Sequence, residues 1–199
     1  MKTLLSLLAL VPTLALSAPA TAWKLDPSHS TVGFSVKHLV ISQARGEFSR
    51  YTGTVTLDEA DVSRSRVEAS IEAASVDTRN ADRDGHLRSP DFFDVAKYPT
   101  ITFASTQVEK RGADRLAVTG NLTLHGVTRP VTLDVSLTPE VKGLYGETRR
   151  GFTATGKISR KDFGLTWNKL IEAGPALGDE VTLSFELEAV KEQPKAASR

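Results

Sequence analysis

The stretch Val181-Thr182-Leu183-Ser184-Phe185-Glu186-Leu187-Glu188-Ala189 alternates apolar and polar residues at every position. Strict alternation predicts a strand with one buried face and one face in water, as in antiparallel sheets. Strong alternation also occurs at residues 31–37, 66–73 and 131–138, and weaker alternation at residues 47–57, 100–108, 116–124 and 152–158. Most gaps are too short for crossover helices, so about eight antiparallel strands are predicted, besides a short one at residues 23–25.

An all-β domain of this kind avoids open sheet edges most simply by closing into a barrel. A barrel of about eight strands is either filled by its own side chains or holds one small ligand. A β-sandwich with interdigitating sheets remains the alternative. A lined cavity is favoured because six small residues are predicted to face inward, namely Ala69, Ala73, Ala104, Gly120, Ala154 and Gly156.

Two stretches interrupt the alternation. Residues 80–95 are charged and contain Pro90, and they are predicted to form one or two helical turns. Residues 163–178 mix aromatic residues with glycine and proline, which predicts a long loop with a short helix. Turns are predicted at residues 111–114, 125–126 and 177–179, and a kink at residues 52–53.

Composition excludes several classes of protein. The 199-residue chain carries 25 Lys and Arg against 24 Asp and Glu, and it has no cysteine. This length indicates one domain, and the balanced charge argues against nucleic-acid binding, which depends on clustered Lys and Arg. The lack of cysteine excludes thiol catalysis, disulfide bonds and Cys-based metal sites.

Residues 1–22 have the layout of a cleavable secretory signal peptide. Lys2 precedes an apolar run at residues 4–16, and Ala20-Thr21-Ala22 forms a small-residue cleavage pattern before Trp23. The run is shorter than the roughly 20 residues that span a bilayer, and no later stretch is long enough either. We therefore expect a periplasmic or secreted protein without stable membrane insertion, with one domain at residues 23–191 and a flexible tail at residues 192–199.

The histidines and one polar cluster are the candidates for chemistry. His38 continues the inward face of residues 32, 34 and 36, so it either meets a ligand head group or is a hydrogen-bonded rim histidine. Residues 82–94 either bind an anionic head group, or place His86 as a general acid/base oriented by Asp84, or cap one barrel end with Leu87, Phe92 and Phe93 as an apolar plug. The balanced charge of this cluster favours the cap. His125, in a turn, is expected to be exposed.

Several motifs together resemble the YceI-like family of bacterial exported proteins. The resemblance covers about residues 23–190. It is carried by Ser75-Val76-Asp77-Thr78, the run Arg83-Asp84-Gly85-His86-Leu87-Arg88-Ser89-Pro90-Asp91-Phe92-Phe93-Asp94, Tyr98-Pro99, Gly120-Asn121-Leu122-Thr123-Leu124-His125-Gly126-Val127-Thr128 and Gly178-Asp179-Glu180-Val181.

The resemblance implies an all-β, antiparallel up-and-down, lipocalin-like β-barrel with one or two short helical segments. It implies a polyisoprenoid or similar long-chain lipid as the ligand, and family members often form homodimers. No other cofactor is expected, and no metal, because no two histidines have the spacing of a helical or single-strand zinc site. The resemblance carries over no catalytic residue, so a binding protein is expected rather than an enzyme. An enzyme acting on an amphiphilic lipid, with His86 or His38 as acid/base, and a non-catalytic envelope stress or interaction module are the alternatives.

Fourteen residues are predicted to contact the ligand. A continuous apolar cavity of several hundred Å³ would favour the lipid carrier over the interaction module. The inward-facing set is Phe34, Val36, Ile71, Phe103, Leu122, Phe152, Ile158 and Phe185. Residues of the mouth or plug are Phe92, Phe93, Phe163 and Trp167, and the head-group contacts are His38 and Arg83.

Overall fold

The computed structural model describes residues 20–172 and 174–193. The predicted signal peptide lies outside the described residues except for its last three, and the predicted tail lies outside them beyond residue 193. In the described part of the chain, no helix is both long enough and apolar enough to cross a membrane.

The described residues form fourteen strands and one α-helix. The helix α1 (Ala81–Arg88) confirms the helical turns predicted at residues 80–95. Short 3-10 turns lie at Pro27–His29, Val62–Arg64, Ala73–Ser75 and Arg160–Phe163. The strands are β1 (Thr21–Leu25), β2 (Thr31–His38), β3 (Ser42–Phe48), β4 (Tyr51–Leu57), β5 (Arg66–Glu72), β6 (Val76–Asp77), β7 (Thr100–Lys110), β8 (Arg115–Leu124), β9 (Val127–Leu137), β10 (Val141–Lys142), β11 (Thr148–Ser159), β12 (Leu170–Ile171), β13 (Gly174–Pro175) and β14 (Leu177–Lys191).

The long strand β14 closes the sheet into a barrel. One edge of β14 pairs with β11. The other edge pairs with both β1 and β2, so β1 and β2 together form one bent strand. Likewise, β3 and β4 pair with β2 and β1 as two halves of a second bent strand. When each bent strand is counted once, eight barrel strands remain, namely β1/β2, β3/β4, β5, β7, β8, β9, β11 and β14. Each is antiparallel to its neighbours in sequence, and the last pairs with the first. This confirms the up-and-down barrel of eight strands and excludes the sandwich.

Some boundaries differ from the prediction. The strand predicted at residues 47–57 is instead the end of β3 and all of β4, and the break lies at Ser49 and Arg50 rather than at Gly53. Ser75 holds this bend, because its carbonyl accepts from the Ser49 amide (3.1 Å) and its hydroxyl accepts from the Arg50 amide (3.1 Å). The turn predicted at residues 177–179 is an irregular start of β14, where its pairing with β2 shifts register.

The predicted small inward residues divide into three groups. Ala104 is exposed on the outer face, so that prediction was wrong. Gly120 and Gly156 provide no free space, since a Cβ on Gly120 would lie 2.4 Å from Phe103 Cζ and one on Gly156 would lie 2.7 Å from Leu133 Cδ2. The neighbouring large side chains fill those positions. Of the remaining three residues, Ala73 is buried, and Ala69 and Ala154 line a cavity inside the barrel.

The β8–β9 turn anchors the loop after β11. His125 and Gly126 both have positive φ (51° and 72°), the backbone of a tight two-residue hairpin turn. His125 is half-buried rather than exposed, because its ring packs edge-on against Tyr98 (4.7 Å between centroids) and its Nδ1–H donates to the Phe163 carbonyl (3.1 Å). The short helix predicted within residues 163–178 is not found in the described part of this loop, which carries the β12–β13 ladder instead. A 3-10 turn at Arg160–Phe163 lies just before the loop.

Candidate ligand-binding cavity

One end of the barrel contains a cavity of about 480 Å³ with a mainly apolar lining. The inner faces of β2, β3 and β14 form its walls, and α1 and the segment after it cover it. This volume lies within the range of about 300–1,000 Å³ that is usual for small-molecule sites. Six of the eight residues predicted to face inward line this cavity, namely Phe34, Val36, Ile71, Leu122, Ile158 and Phe185.

A second, smaller cavity of about 130 Å³ lies at the other end of the barrel. The remaining two inward-facing predictions, Phe103 and Phe152, line this cavity and not the larger one. Side chains common to both linings form a waist between the cavities, so the interior is not one uniform tunnel. These waist residues are Val32, Ile71, Leu122, Leu183 and Phe185.

The strand geometry gives the depth of the larger cavity. On β2, Val32 lies at the waist and His38 lies at the mouth. At roughly 3.3 Å per residue, this part of the strand is about 20 Å long. Because barrel strands tilt by about 35–45°, the depth along the barrel axis is about 15 Å. The cavity therefore suits an extended, flexible apolar chain better than a large rigid molecule.

Helix α1 is fixed over the cavity by a short chain of hydrogen bonds. The buried Asp84 carboxylate accepts from the Thr78 amide (2.8 Å) and from the Thr78 hydroxyl (2.6 Å). The same hydroxyl accepts from Arg83 Nε (2.7 Å), and Arg83 Nη2 donates to the Thr78 carbonyl (2.8 Å). Asp84 therefore anchors the cap and does not orient His86, so that pairing was wrong.

Three rings meet at the mouth of the cavity and form a plug. His86 contacts Phe92 (5.0 Å between centroids) and Trp167 (4.8 Å), and the latter two rings are 5.2 Å apart. The partner of His86 is Asp91, at 2.9 Å from Nε2. Phe93 continues the apolar lining inward. The predicted cap at residues 82–94 therefore exists. Its arginines and Asp84 bond the segment at residues 74–78, His86 bonds Asp91, and its aromatic residues face the cavity.

Arg160 holds the Trp167 loop in place, and the sequence pattern did not reveal this role. The side chain is 3% exposed. It donates to the carbonyls of Leu165 (2.6 Å), Trp167 (2.8 Å) and Gly178 (2.9 Å), and to Asp179 (3.1 Å). A lone arginine in a loop gives no signal in sequence that it is buried and fully bonded.

Polar side chains without partners lie at the mouth. The His38 ring is half-buried and makes no hydrogen bond to any described residue, and the Arg45 guanidinium, missed at the level of sequence, is exposed without an ion pair in the described part of the chain. Arg83 also lines the cavity, although Thr78 occupies two of its nitrogens. These three groups can donate hydrogen bonds to a polar head group.

Phe163 is the predicted mouth residue that the structure places elsewhere. Its side chain is 1% exposed and belongs to the core, and it lines neither cavity. Gly164 follows it with φ of 76°, which turns the chain so that Trp167, four residues after Phe163, reaches the mouth instead.

An arginine occupies the most metal-like cluster in the described residues. Ligand atoms of Asp26, His29 and Glu188 lie within 4.8 Å of one another. Arg149 Nη1 donates to Asp26 Oδ2 (2.7 Å) and also bonds Glu188. Hydrogen bonds from Ser28, His29 and Arg149 hold the pKa of Asp26 well below its usual range. The guanidinium therefore supplies the positive charge that a metal ion would bring.

The fold and this cavity define a class of protein, the lipocalin-like barrel that encloses an apolar internal site under a cap. The chain belongs to the YceI-like family, whose domain model matches residues 23–189. It is 45% identical over 179 residues to Protein YceI of Salmonella newport, covering 89% of this chain and 91% of that protein.

Solved structures of other proteins share the fold. The Burkholderia cenocepacia BcnA structure has a TM-score of 0.74 at 24% identity, covering 82% of this chain and 98% of that one. A polyisoprenoid binding domain from Saccharophagus degradans, implicated in plant cell wall breakdown, has a TM-score of 0.61 at 19% identity, covering 85% and 98%. At these identities, the likeness concerns the barrel architecture alone.

Proposed function

We propose that this protein is a binding protein that holds the apolar tail of a polyisoprenoid or similar long-chain lipid in the larger cavity. The apolar, capped cavity of about 480 Å³ carries this proposal. Removal of apolar surface from water contributes about 25 cal/mol per Å², so a long tail binds tightly with few polar contacts. The Saccharophagus degradans domain of the same architecture, described as polyisoprenoid binding, supports the choice of ligand.

The polar mouth fits the other end of such a ligand. His38 and Arg45 lack partners among the described residues, so they are free to bind a head group. An arginine binds carboxylate or phosphate oxygens with two parallel hydrogen bonds. A lipid oriented with its tail at the waist and its head at the mouth satisfies both ends of the cavity.

The cavity lining favours binding over catalysis. Thr78 is the one hydroxyl-bearing side chain in the described lining, and its oxygen already accepts from Arg83 and donates to Asp84. The His86–Asp91 pair lies in the mouth plug, packed against Phe92 and Trp167, and no hydroxyl group of the described residues hydrogen-bonds His86. This arrangement lacks the hydroxyl–base contact of hydrolases that use a serine or threonine nucleophile.

The location and oligomeric state belong to the same proposal. The signal-like residues 1–22 support export to the periplasm, where a carrier would shield a lipid tail from water between membranes. A homodimer follows from the family resemblance, and light scattering of the mature protein measures it directly.

The test is to purify the mature protein, extract it with organic solvent and analyse the extract by mass spectrometry. We expect a long-chain lipid at about one molecule per protein, as the single larger cavity implies. Ala44→Trp, inside the cavity, should abolish the bound lipid, and Ala104→Trp, the same change on the outer face, should retain it. Recovery of no lipid, with no uptake of added isoprenoid, would refute the proposal.

A further inference from the structure

Large apolar side chains stand in water at the cavity end of the barrel. The tip of the β2–β3 hairpin exposes Val40 (52%) and Ile41 (82%). The β12–β13 hairpin exposes Leu170 (82%) and Ile171 (38%). We call these four residues the apolar rim. Exposed apolar side chains that are grouped beside the entrance of a cavity are typical of an interaction site.

The two hairpins of the rim are joined at the mouth. The Leu39 amide donates to the Ala176 carbonyl (2.8 Å), and Leu177 pairs with His38 across β14 and β2. Both members of this last pair line the larger cavity. The apolar rim therefore stands beside the entrance through which a ligand of this cavity would pass.

The backbone of the first hairpin is strained. Leu39 and Val40 have φ of 49° and 64°, the left-handed region that L-amino acids rarely adopt, least of all β-branched ones. Strain of this type persists only where the surrounding structure imposes it, and it clusters at ligand clamps and functional sites. Here it presents the side chains of residues 40 and 41 to water rather than to the core.

The charges around the rim favour an anionic surface. Lys37 and Arg45 on the β2–β3 hairpin and Lys169 beside β12 are exposed and make no ion pair with any residue that the structure describes. The exposed acids nearby that likewise lack an ion pair among the described residues include Glu172 after β12 and Asp82 at the mouth. A two-fold contact between copies of this chain through the rim would bring two copies of this cationic cluster close together, and repulsion between like charges is unfavourable. An anionic lipid surface attracts them, by about a few-fold in affinity per cation.

We propose that the apolar rim docks on the surface of a lipid bilayer and opens the cavity directly to the membrane. Apolar side chains at the tips enter the interface while the cations contact lipid head groups, which is interfacial binding rather than membrane spanning. The reason for docking rests on the proposed lipid-carrier function, since a long apolar ligand would then pass from membrane to cavity without crossing water.

Flotation of the mature protein with vesicles tests the docking without any ligand. The vesicles contain phosphatidylcholine and phosphatidylglycerol and no isoprenoid. Ile41→Ser with Leu170→Ser should lower the bound fraction about tenfold or more, because full burial of each side chain is worth at least a factor of about ten. Raised salt should weaken binding by wild type severalfold.

The control variant carries the same kind of change at the opposite end of the barrel. Leu144 and Tyr145 are 96% and 93% exposed in the turn before β11, and Leu144→Ser with Tyr145→Ser should leave flotation unchanged. Equal losses in the two variants, or no flotation of wild type, would overturn the proposal. The proposal would also be overturned if wild type formed a dimer in the absence of vesicles and the rim substitutions, but not the control substitutions, dissociated it. A second copy of the chain would then cover the rim.

A second measurement separates docking from the carrier function. The rim variant should take up an isoprenoid alcohol delivered from ethanol as well as wild type does, but more slowly when the isoprenoid is delivered in vesicles. If wild type floats and the rim variant does not, docking stands even where no lipid is extracted from the cavity. If lipid is extracted from the protein but the rim variant floats as well as wild type does, the carrier function is supported and the docking proposal is refuted.

Discussion

Replacing Asp84 with alanine should loosen the cap over the larger cavity without unfolding the barrel. The Asp84 side chain is buried, and it accepts two hydrogen bonds from Thr78, at 2.8 and 2.6 Å. Both bonds join a segment at the barrel edge to α1, so their loss acts where the cap meets the barrel. The change also leaves the Thr78 amide without its acceptor.

The cost follows from these two contacts. A hydrogen bond to a charged group contributes about 1.5–3 kcal/mol, and an orphaned buried donor adds to the cost of its loss. Because the Thr78 hydroxyl can rotate toward another acceptor, we expect about 3 kcal/mol in total. That corresponds to a roughly hundredfold larger population of molecules with an open cap. Asp84→Asn keeps one acceptor oxygen and should lie between alanine and wild type.

Amide hydrogen exchange measures the opening of α1 directly, and dissociation of bound lipid should accelerate in parallel. Asp91→Ala is the matched control, because this carboxylate is 53% exposed and, among the described residues, bonds only His86. Its removal should therefore cost at most about 1 kcal/mol. If Asp84→Ala speeds exchange in α1 no more than Asp91→Ala does, the anchoring role of Asp84 is refuted.

Three further predictions concern a turn, an ion cluster and the plug. Gly126→Ala should lower the melting temperature more than Gly146→Ala. Both glycines have positive φ, but only a Cβ at residue 126 would meet a ring, 2.4 Å from Tyr98 Cε1. Equal shifts in calorimetry would count against this. Asp26 has a pKa lowered by hydrogen bonding, so its stabilisation is present above pH 4 or so and is lost as the pH falls; the difference in unfolding free energy between wild type and Asp26→Asn should therefore shrink in acid, and a constant difference would contradict it. His86→Ala removes two ring contacts worth about 0.5–1.5 kcal/mol each, so lipid should dissociate faster and Trp167 fluorescence should change, whereas an unaltered dissociation rate would argue against the plug.

The alternating strands could be predicted because their two faces differ strongly. In β14, Leu183, Phe185 and Leu187 face inward between polar residues, and the structure agrees. The start of β3 was missed because its inward residues include Ala44 and Gly46, which give little hydrophobic contrast. The phenyl ring of Phe34 packs over Gly46, so the volume missing from one strand is supplied by its neighbour.

Adjacent residues of similar type could not be distinguished by pattern. Residues 103 and 104 are both apolar, but consecutive strand residues face opposite sides, and the larger Phe103 takes the interior. For the same reason, the pattern could not show that Asp91, rather than Asp84, is the partner of His86. Residues two apart on a helix do not face each other, whereas the turn after α1 brings Asp91 back to the ring.

The waist and the free polar groups at the mouth depend on three-dimensional packing. The cap predicted at residues 82–94 placed Phe92 and Phe93 at one barrel end, and both residues line the larger cavity there. No pattern in the sequence shows that Val32 and Phe185 meet side chains of other barrel strands and so divide the interior into two cavities. Such contacts arise only after the barrel closes and its strand registers are fixed.

A crystal structure of the mature protein loaded with an isoprenoid lipid tests the central claim most directly. We expect continuous density for the tail from the waist at Phe185 to the mouth, with the polar end beside His38 and Arg45. Density that lies on the outer surface of the barrel, or a larger cavity that stays free of lipid at saturating ligand, would contradict the account.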